Sequence, residues 1–176
     1  PRLVELILQE STKVIRYRKG VLVVQNHHGV ILANAGIDRS NLEQDKEQDW
    51  VLLLPKDSDL SAKKIHQELF SKTGVHLGVI INDSIGRAWR NGTLGTAIGV
   101  AGIPSIIDLR GRKDLFGNPL RVSEEAIADE LASAASLLQG QADEALPVVL
   151  IRGFQKQTPS IPASGLIRPK ETDLFQ

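Results

Sequence analysis

Asp83 and Ser84 close a run of largely β-branched residues, Gly78-Val79-Ile80-Ile81-Asn82. Arg87, Trp89 and Arg90 follow within seven residues, among glycines. The apolar run predicts a buried strand, and the glycine-containing segment after it predicts a loop outside the core. A carboxylate and a hydroxyl at the exit of a strand, followed by fixed cations, suit a site for a hard metal ion and a phosphate-bearing ligand. A loop in which Asp83 and Ser84 merely cap a turn accounts for the same residues.

Two further segments share this oxygen-rich character. Asn34-Ala35-Gly36-Ile37-Asp38-Arg39-Ser40-Asn41 places an aspartate after a strand with an amide three residues on. Gly140-Gln141-Ala142-Asp143-Glu144 falls just past the end of a predicted helix. None of the three offers sulfur, and their donors suit Mg²⁺ or Mn²⁺, which keep waters for a phosphate to displace. The separations are too long for a local motif, so spacing alone does not bring the segments together. Arg87, Arg90, Arg110, Arg112 and Lys113 supply cations for a polyphosphate, and arginine forks fit phosphate in bidentate fashion. The run from Arg110 to Asp114 reads equally as a solvated turn with local ion pairs.

Several chemistries find no support. No glycine-rich stretch ends in Gly-Lys-Ser/Thr, and the spaced glycines from Gly95 to Gly102 do not form a dinucleotide fingerprint after a strand. His27 and His28 fall in a turn, His66 in a helix and His76 at a strand start, positions that suit structural roles better than ligation. No Ser-His-Asp or Gly-x-Ser-x-Gly pattern suggests acyl hydrolysis. Trp50 opens an apolar strand and is expected in the core. Trp89, between two arginines, is placed to wall a planar ligand.

The 176 residues fit one domain of ordinary size, and a 41% hydrophobic content supplies a core. Lys+Arg and Asp+Glu both number 21, so no global field points to nucleic acid or a membrane surface. The absence of cysteine excludes disulfides, thiolate zinc sites and a cysteine nucleophile. The longest apolar runs, residues 50–55 and 75–81, fall far short of a membrane span. No signal peptide is visible, so the expected location is cytoplasmic. The chain opens on Pro1-Arg2-Leu3 without a methionine, which reads as processing, trimming or a fragment.

The elements that must position these groups follow from periodicity. Residues 2–13 predict an amphipathic helix through Leu3, Leu6, Ile7 and Val14. Residues 21–24 and 30–33 predict a hairpin around Asn26-His27-His28-Gly29. Residues 50–54 predict a strand, and residues 60–72 a helix capped from Pro55-Lys56-Asp57-Ser58-Asp59 and stopped at Gly74. Residues 75–82 form the buried strand, and 97–103, with Gly99 and Gly102, a backbone that packs closely. Residues 105–109 suit a short strand. Ser123 is expected to cap a helix with Glu124 and Glu125 in its first turn and Ile127, Leu131, Ala134, Ala135 and Leu138 facing inward. Residues 148–151 are the last predicted strand. The class is α+β with mixed β-sheets and packed helices: a domain over residues 1–154, divisible into two subdomains, and a Pro/Ser-rich tail over 155–176 that closes on it.

These residues resemble a known family. The segments from Asn34 to Asn41, Asp83-Ser84-Ile85-Gly86-Arg87-Ala88-Trp89-Arg90 and Ala97-Ile98-Gly99-Val100-Ala101-Gly102 are similar to those of the coenzyme F-420-0:L-glutamate ligases, also called F-420 gamma-glutamyl ligases. Asp108-Leu109-Arg110-Gly111, Asp114-Leu115-Phe116-Gly117, Ala128-Asp129-Glu130-Leu131, Gly140-Gln141-Ala142-Asp143 and Leu166-Ile167-Arg168-Pro169-Lys170 agree as well. The match is collinear from Pro1 to the C-terminus.

The resemblance implies the ligase-like fold and an activity: addition of L-glutamate to the deazaflavin cofactor F-420-0 through a gamma-linked amide. It further implies GTP as co-substrate, two divalent cations (Mg²⁺ or Mn²⁺) per site, K⁺ as a helper, an acyl-phosphate intermediate and an intertwined homodimer, with no role for nucleic acid or membrane. By position, Asp38 and Asp83 resemble ligands of the first metal, and Ser84 (in place of a usual threonine) with Gln141 those of the second. Asn41 and the segment Gln139, Gly140, Gln141, Ala142, Asp143, Glu144, Ala145 and Leu146 resemble guanine-nucleotide contacts. Arg87 and Arg90 are the charge-stabilising candidates, and no protein nucleophile is implied. The resemblance also implies a further N-terminal region ahead of Pro1. Gly92-Thr93-Leu94-Gly95 replaces the family's usual Gly-Gln-Thr-Asp, and Ile85 and Ala88 replace an aromatic residue and a proline. Two alternatives follow: a non-catalytic or truncated ligase-like scaffold, and a paralogue that ligates an amino acid to another carboxylate acceptor.

Overall fold

The computed structural model describes residues 2–43, 49–155 and 159–174. Its first layer is helix α1 (Arg2–Gln9) packed on an antiparallel sheet of β1 (Ser11–Arg18), β2 (Val21–Asn26) and β3 (Ile31–Ala33), in that order. Ile7 of α1 is buried against Val24 of β2 and Ala35, just past β3. β3 leads into a single 3₁₀ turn, Asn34–Gly36, and from there to Asp38.

The second layer is a long two-stranded hairpin, β4 (Val79–Arg87) with β5 (Arg90–Ala101), clamped by α2 (Ser58–Thr73) and α3 (Ile127–Gln139). Helix α2 begins where Asp57 accepts from Leu60 N at 2.8 Å and ends at a left-handed Gly74, whose N–H donates to Phe70 O. Gly95 and Gly99 let both helices approach the strand. A Cβ on Gly95 would lie 2.4 Å from Ala132 O, and one on Gly99 2.2 Å from Ser58 O. The main core forms between these surfaces from Ala97, Val100, Ile103, Ala128, Ala132 and Ala163.

The outer edge of β5 pairs with side chains where a further strand would otherwise lie. Asp129 accepts from Ala97 N at 2.9 Å, and Asp59 accepts from Val100 N at 2.9 Å and from Ala163 N at 2.7 Å. Ser133 Oγ donates to Gly95 O at 2.8 Å. The C-terminal segment runs along the same region, with Ser105 N donating to Ile161 O. A small pair, β6 (Ile107–Asp108) with β7 (Glu124–Glu125), completes the α+β architecture. No helix among the described residues is long and apolar enough to cross a membrane.

Several predicted elements are corrected. The first helix stops at Gln9, and residues 11–18 form β1, because Thr12, Val14, Ile15 and Tyr17 favour a pleated surface. Residues 50–54 contribute only an isolated bridge, Leu52 to Asp38, and Trp50 is 54% exposed rather than core. The central strand begins at Val79 and runs on to Arg87, so Asp83 and Ser84 lie inside it and the expected loop is a strand with a tight turn at Trp89. Ladder pairing to β5 overrides the glycines. Ser123 caps nothing: Glu124 and Glu125 pair with β6, and α3 starts at Ile127 with Asp129 and Glu130 in its first turn. Ala134 and Leu138 face outward, leaving Ile127, Ala128, Leu131 and Ala132 as the packed face. Residues 148–151 pair with no strand among the described residues, and Val148 and Leu150 are exposed.

Candidate functional site

Asp38 is held at the end of a contorted turn. Asn34, Ala35 and Gly36 all take positive φ, at 50°, 58° and 74°. Two of the three are not glycine, a strain that persists only where surroundings fix it. Asn34 Oδ1 accepts from Leu22 N at 3.0 Å, and Asp38 exchanges backbone hydrogen bonds with Leu52 at 3.0 and 2.8 Å. The Asp38 carboxylate accepts from Ser40 N at 2.8 Å and from Ser40 Oγ at 2.7 Å. Partial burial pulls this carboxyl upward, but the bonds from Ser40 and the Arg39 N–H outweigh it and leave Asp38 below the ordinary carboxylate value.

Asp83 sits on β4, directly across the ladder from Thr96. Burial is the main influence that raises its carboxyl, and the nearby negative Asp38 adds to it. The Ser84 N–H, donating at 2.7 Å, opposes both without cancelling them. The charge of Asp38, in the other layer, is thus felt at Asp83. Next along β4, Ser84 Oγ donates to Gln141 Oε1 across 57 residues of sequence.

Gln141 is delivered by the end of α3. Gln139 Oε1 accepts from Asn82 Nδ2 at 2.9 Å, and Gly140 then takes φ 74° and ψ −173°, a backbone only glycine adopts freely. Gln141 Nε2 donates to Ser136 Oγ at 3.2 Å. Glu144 folds back so that its carboxylate accepts from Ala142 N at 2.8 Å, and that bond, with others from Glu144 N and Gln141 N, holds it below the ordinary value. Gln139 Nε2 donates to Pro147 O, Ala145 takes φ 52°, and Asp143 and Leu146 are exposed on the same loop. Asn41, itself at φ 51°, closes the arrangement by donating from Nδ2 to Ala142 O at 3.0 Å.

Asp38, Asn41, Asp83, Ser84 and Gln141 are thus brought to one place by three distant segments. The donors are carboxylate, hydroxyl and amide oxygens. No group of three His, Cys, Asp or Glu side chains clusters among the described residues, so the arrangement depends on Ser84 and Gln141 as much as on the acids. Such a set fits hard cations, whose charge would relieve the Asp38–Asp83 repulsion. Arg87 and Arg90 do not join it. They lie on the exposed arm of the hairpin, with Arg87 Nη1 reaching Gly92 O at 3.5 Å. Four residues of strand carry the Arg87 backbone about 13 Å beyond Asp83. Trp89, 84% exposed, is on the same arm.

Asn82, Ser136 and Thr96 also touch the site, through Gln139, Gln141 and Asp83 respectively. Asn82 is marked in the sequence as a lone amide in a β-branched run. Nothing local marks Ser136 or Thr96.

A sequence model of the F420-0:Gamma-glutamyl ligase family matches residues 1–153. The chain belongs to this family. Among its relatives is a coenzyme F420:L-glutamate ligase of Methanocaldococcus jannaschii, 44% identical over 176 residues. That alignment covers 100% of the chain and 69% of the relative. The enzyme of the same name from Methanothermobacter thermautotrophicus is 45% identical over 180 residues with the same coverage. That from Methanopyrus kandleri is 39% identical and is covered over 70% of its length. The family match spans all three segments that build the site.

Proposed function

We propose that this chain is a ligase that joins L-glutamate to the deazaflavin cofactor F-420-0 through a gamma-linked amide, at the expense of GTP. Membership of the family supports glutamate ligation to the cofactor. The observation that carries the finer reading is the meeting of Asp38 and Asp83 with Ser84 and Gln141. In this reading Asp38 and Asp83 hold a first divalent cation, and Ser84 and Gln141 a second, Mg²⁺ or Mn²⁺, with K⁺ assisting. Bound cations would supply neutralisation of the γ-phosphate and the acceptor carboxylate. Asn41 and the loop from Gln139 to Leu146 contact the guanine nucleotide. The acceptor carboxylate attacks the γ-phosphorus of GTP, releasing GDP and forming an acyl phosphate, and the glutamate amine then attacks the acyl carbon, forming the amide as phosphate leaves and the amine loses a proton. Positioning and charge neutralisation carry these steps, so no protein nucleophile is needed. The reaction belongs to the cytoplasm, where GTP is supplied.

A homodimer is part of the proposal. The chain exposes 13020 Å² at 19.2 kDa. A compact monomer of this mass exposes about 8400 Å². Tyr17, Phe116, Val122 and Val148 are among the large apolar side chains left in solvent. A second copy is the partner proposed to cover these side chains.

One observation favours a second reading. Gly92-Thr93-Leu94-Gly95 spans the junction between the exposed arm and the buried part of β5. A changed residue set there suits a paralogue with a different carboxylate acceptor. Incubation with GTP, Mn²⁺, L-glutamate and F-420-0, followed by mass spectrometry, tests both. A glutamyl adduct that disappears in Asp83→Ala is the expected result. GTP hydrolysis with an adduct only on another carboxylic acid selects the paralogue, and no adduct on any acceptor removes the ligase reading.

A further inference from the structure

A cavity of about 750 Å³ opens along the outer edge of β5, between the β2–β3 turn, the starts of α2 and α3, and the C-terminal segment. Four carboxylates line it, those of Asp57, Asp59, Asp129 and Asp173, against two fixed cations, Lys56 and Arg168. Ile31, Ile98 and Ile167 add apolar surface. Such a lining suits an occupant that is cationic and partly apolar, and it repels phosphates and dicarboxylates.

The arm formed by the end of β4 and the start of β5 has the opposite character. Residues 86–93 are all exposed, and they include Arg87, Trp89 and Arg90 but no acidic residue. Trp89 stands in the turn closed by the Arg87–Arg90 pair, at φ 58°, a conformation that bulky residues rarely adopt. A Cβ added at Gly86 or at Gly92 would meet no atom within 4 Å, so open space surrounds this part of the ribbon. A two-stranded ribbon is marginal in water by itself, and a covering partner would stabilise it.

The arm does not reach the cavity of its own chain. The two meet at Thr96, which lines the cavity and pairs with Asp83 across the ladder. From that pair the cavity follows β5 toward Ala97 and Ile98. The arm runs the other way, carrying the Arg87 backbone about 13 Å from Asp83.

We propose that the arm of each copy seats in the acidic cavity of a second copy, with Trp89 against the apolar lining and Arg87 and Arg90 against the carboxylates. This contact rests on the homodimer proposed above and adds to it the surfaces that meet. Each copy offers both an arm and a cavity, so a two-fold exchange satisfies both and closes at the dimer. An aromatic side chain flanked by arginines is also the composition that anchors interfaces. The exchange gives Arg87 and Arg90, which stand clear of Asp38 and Asp83 in their own chain, a partner of opposite charge.

The chain has no cysteine, so cross-linking between introduced thiols reads the contact directly. Asn91→Cys marks the arm and Lys56→Cys the cavity, both at exposed positions. Treated with a short bis-maleimide, the double variant should give a covalent dimer whose peptides, by mass spectrometry, join positions 91 and 56. Sedimentation velocity supplies a second reading: replacing both arginines, Arg87→Glu with Arg90→Glu, should weaken dimerisation at least about tenfold. Both arginines are exposed, so the fold survives their replacement. A dimer without that link, or one unmoved by the two arginine changes, overturns the arm contact and leaves the homodimer standing. Multimers that grow beyond two overturn the closed exchange. A monomer at every concentration overturns both and leaves the cavity to a cationic ligand. The ligase reading is decided apart, by the glutamyl adduct. Linked dimers without an adduct remove the ligase and keep the contact, and an active monomer does the reverse.

Discussion

Asn82 Nδ2 donates to Gln139 Oε1 at 2.9 Å, fastening the middle of β4 to the last residue of α3. The same amide reaches Ala132 O at 3.3 Å. Gln141 is two residues beyond this fastening and Ser84 two residues beyond Asn82, so one amide sets the separation of both halves of the site. Asn82→Ala leaves Gln139 Oε1 without its partner in a half-buried position. Denaturant unfolding should show a loss of about 1–3 kcal/mol, and metal titration a weaker site.

Asp83→Asn should have opposite effects with and without divalent cations. In the metal-free protein Asp83 is raised by burial and by Asp38, so its favourable contribution is present below the ordinary value of 3.8 and lost as pH climbs through the raised value. The amide variant removes that repulsion and should melt no lower than the parent at neutral pH. Its Mn²⁺ affinity should fall by at least about 100-fold, the upper end of losses seen for outer-shell partners. Calorimetric melting with and without Mn²⁺ checks both signs.

Asp108 offers a pH test away from the site. Hydrogen bonds from the Arg110 side chain and N–H hold its carboxyl down at about 2. A depressed carboxyl contributes stability above its unfolded value, and that contribution is lost as pH falls toward 2. The carboxyl carbon followed by NMR should titrate near that value, and in Arg110→Gln its midpoint should move up toward 3.8. An unmoved midpoint would show that Arg110 is not the cause.

Gly140→Ala separates backbone strain from crowding. A Cβ there would lie 2.0 Å from the Glu144 carboxyl carbon, but that carboxyl is the end of a flexible side chain and can move aside. The dihedrals of 74° and −173° cannot relax so easily, and an alanine should cost roughly 1–3 kcal/mol. Adding Glu144→Ala should therefore restore little of the stability, which a double-mutant cycle by urea unfolding would measure.

Local chemistry made some of this architecture readable from sequence. Asp57 and Gly74 mark the ends of α2 because capping and left-handed backbone are properties of single residues. The β2–β3 hairpin was legible for a similar reason. β1 was hidden because Leu3, Leu6, Ile7 and Val14 keep helical spacing across the real break at Glu10. The length of β4 was hidden because its glycine, Gly86, is carried by pairing with β5, a tertiary effect. At the site, residue types spoke for hard-cation chemistry, and the resemblance to a family assigned positions. The contacts themselves, such as Ser84 with Gln141, join residues that no local pattern connects.

The side-chain border along β5 gives two amides an unusual meaning. In an ordinary sheet the slow exchange of a strand amide with heavy water reports opening between neighbouring strands. Here the Ala97 and Val100 amides are shielded by Asp129 and Asp59, which ride on α3 and α2. Their deuterium uptake will therefore clock the detachment of each helix in turn, and the difference between the two rates will tell which helix lets go first.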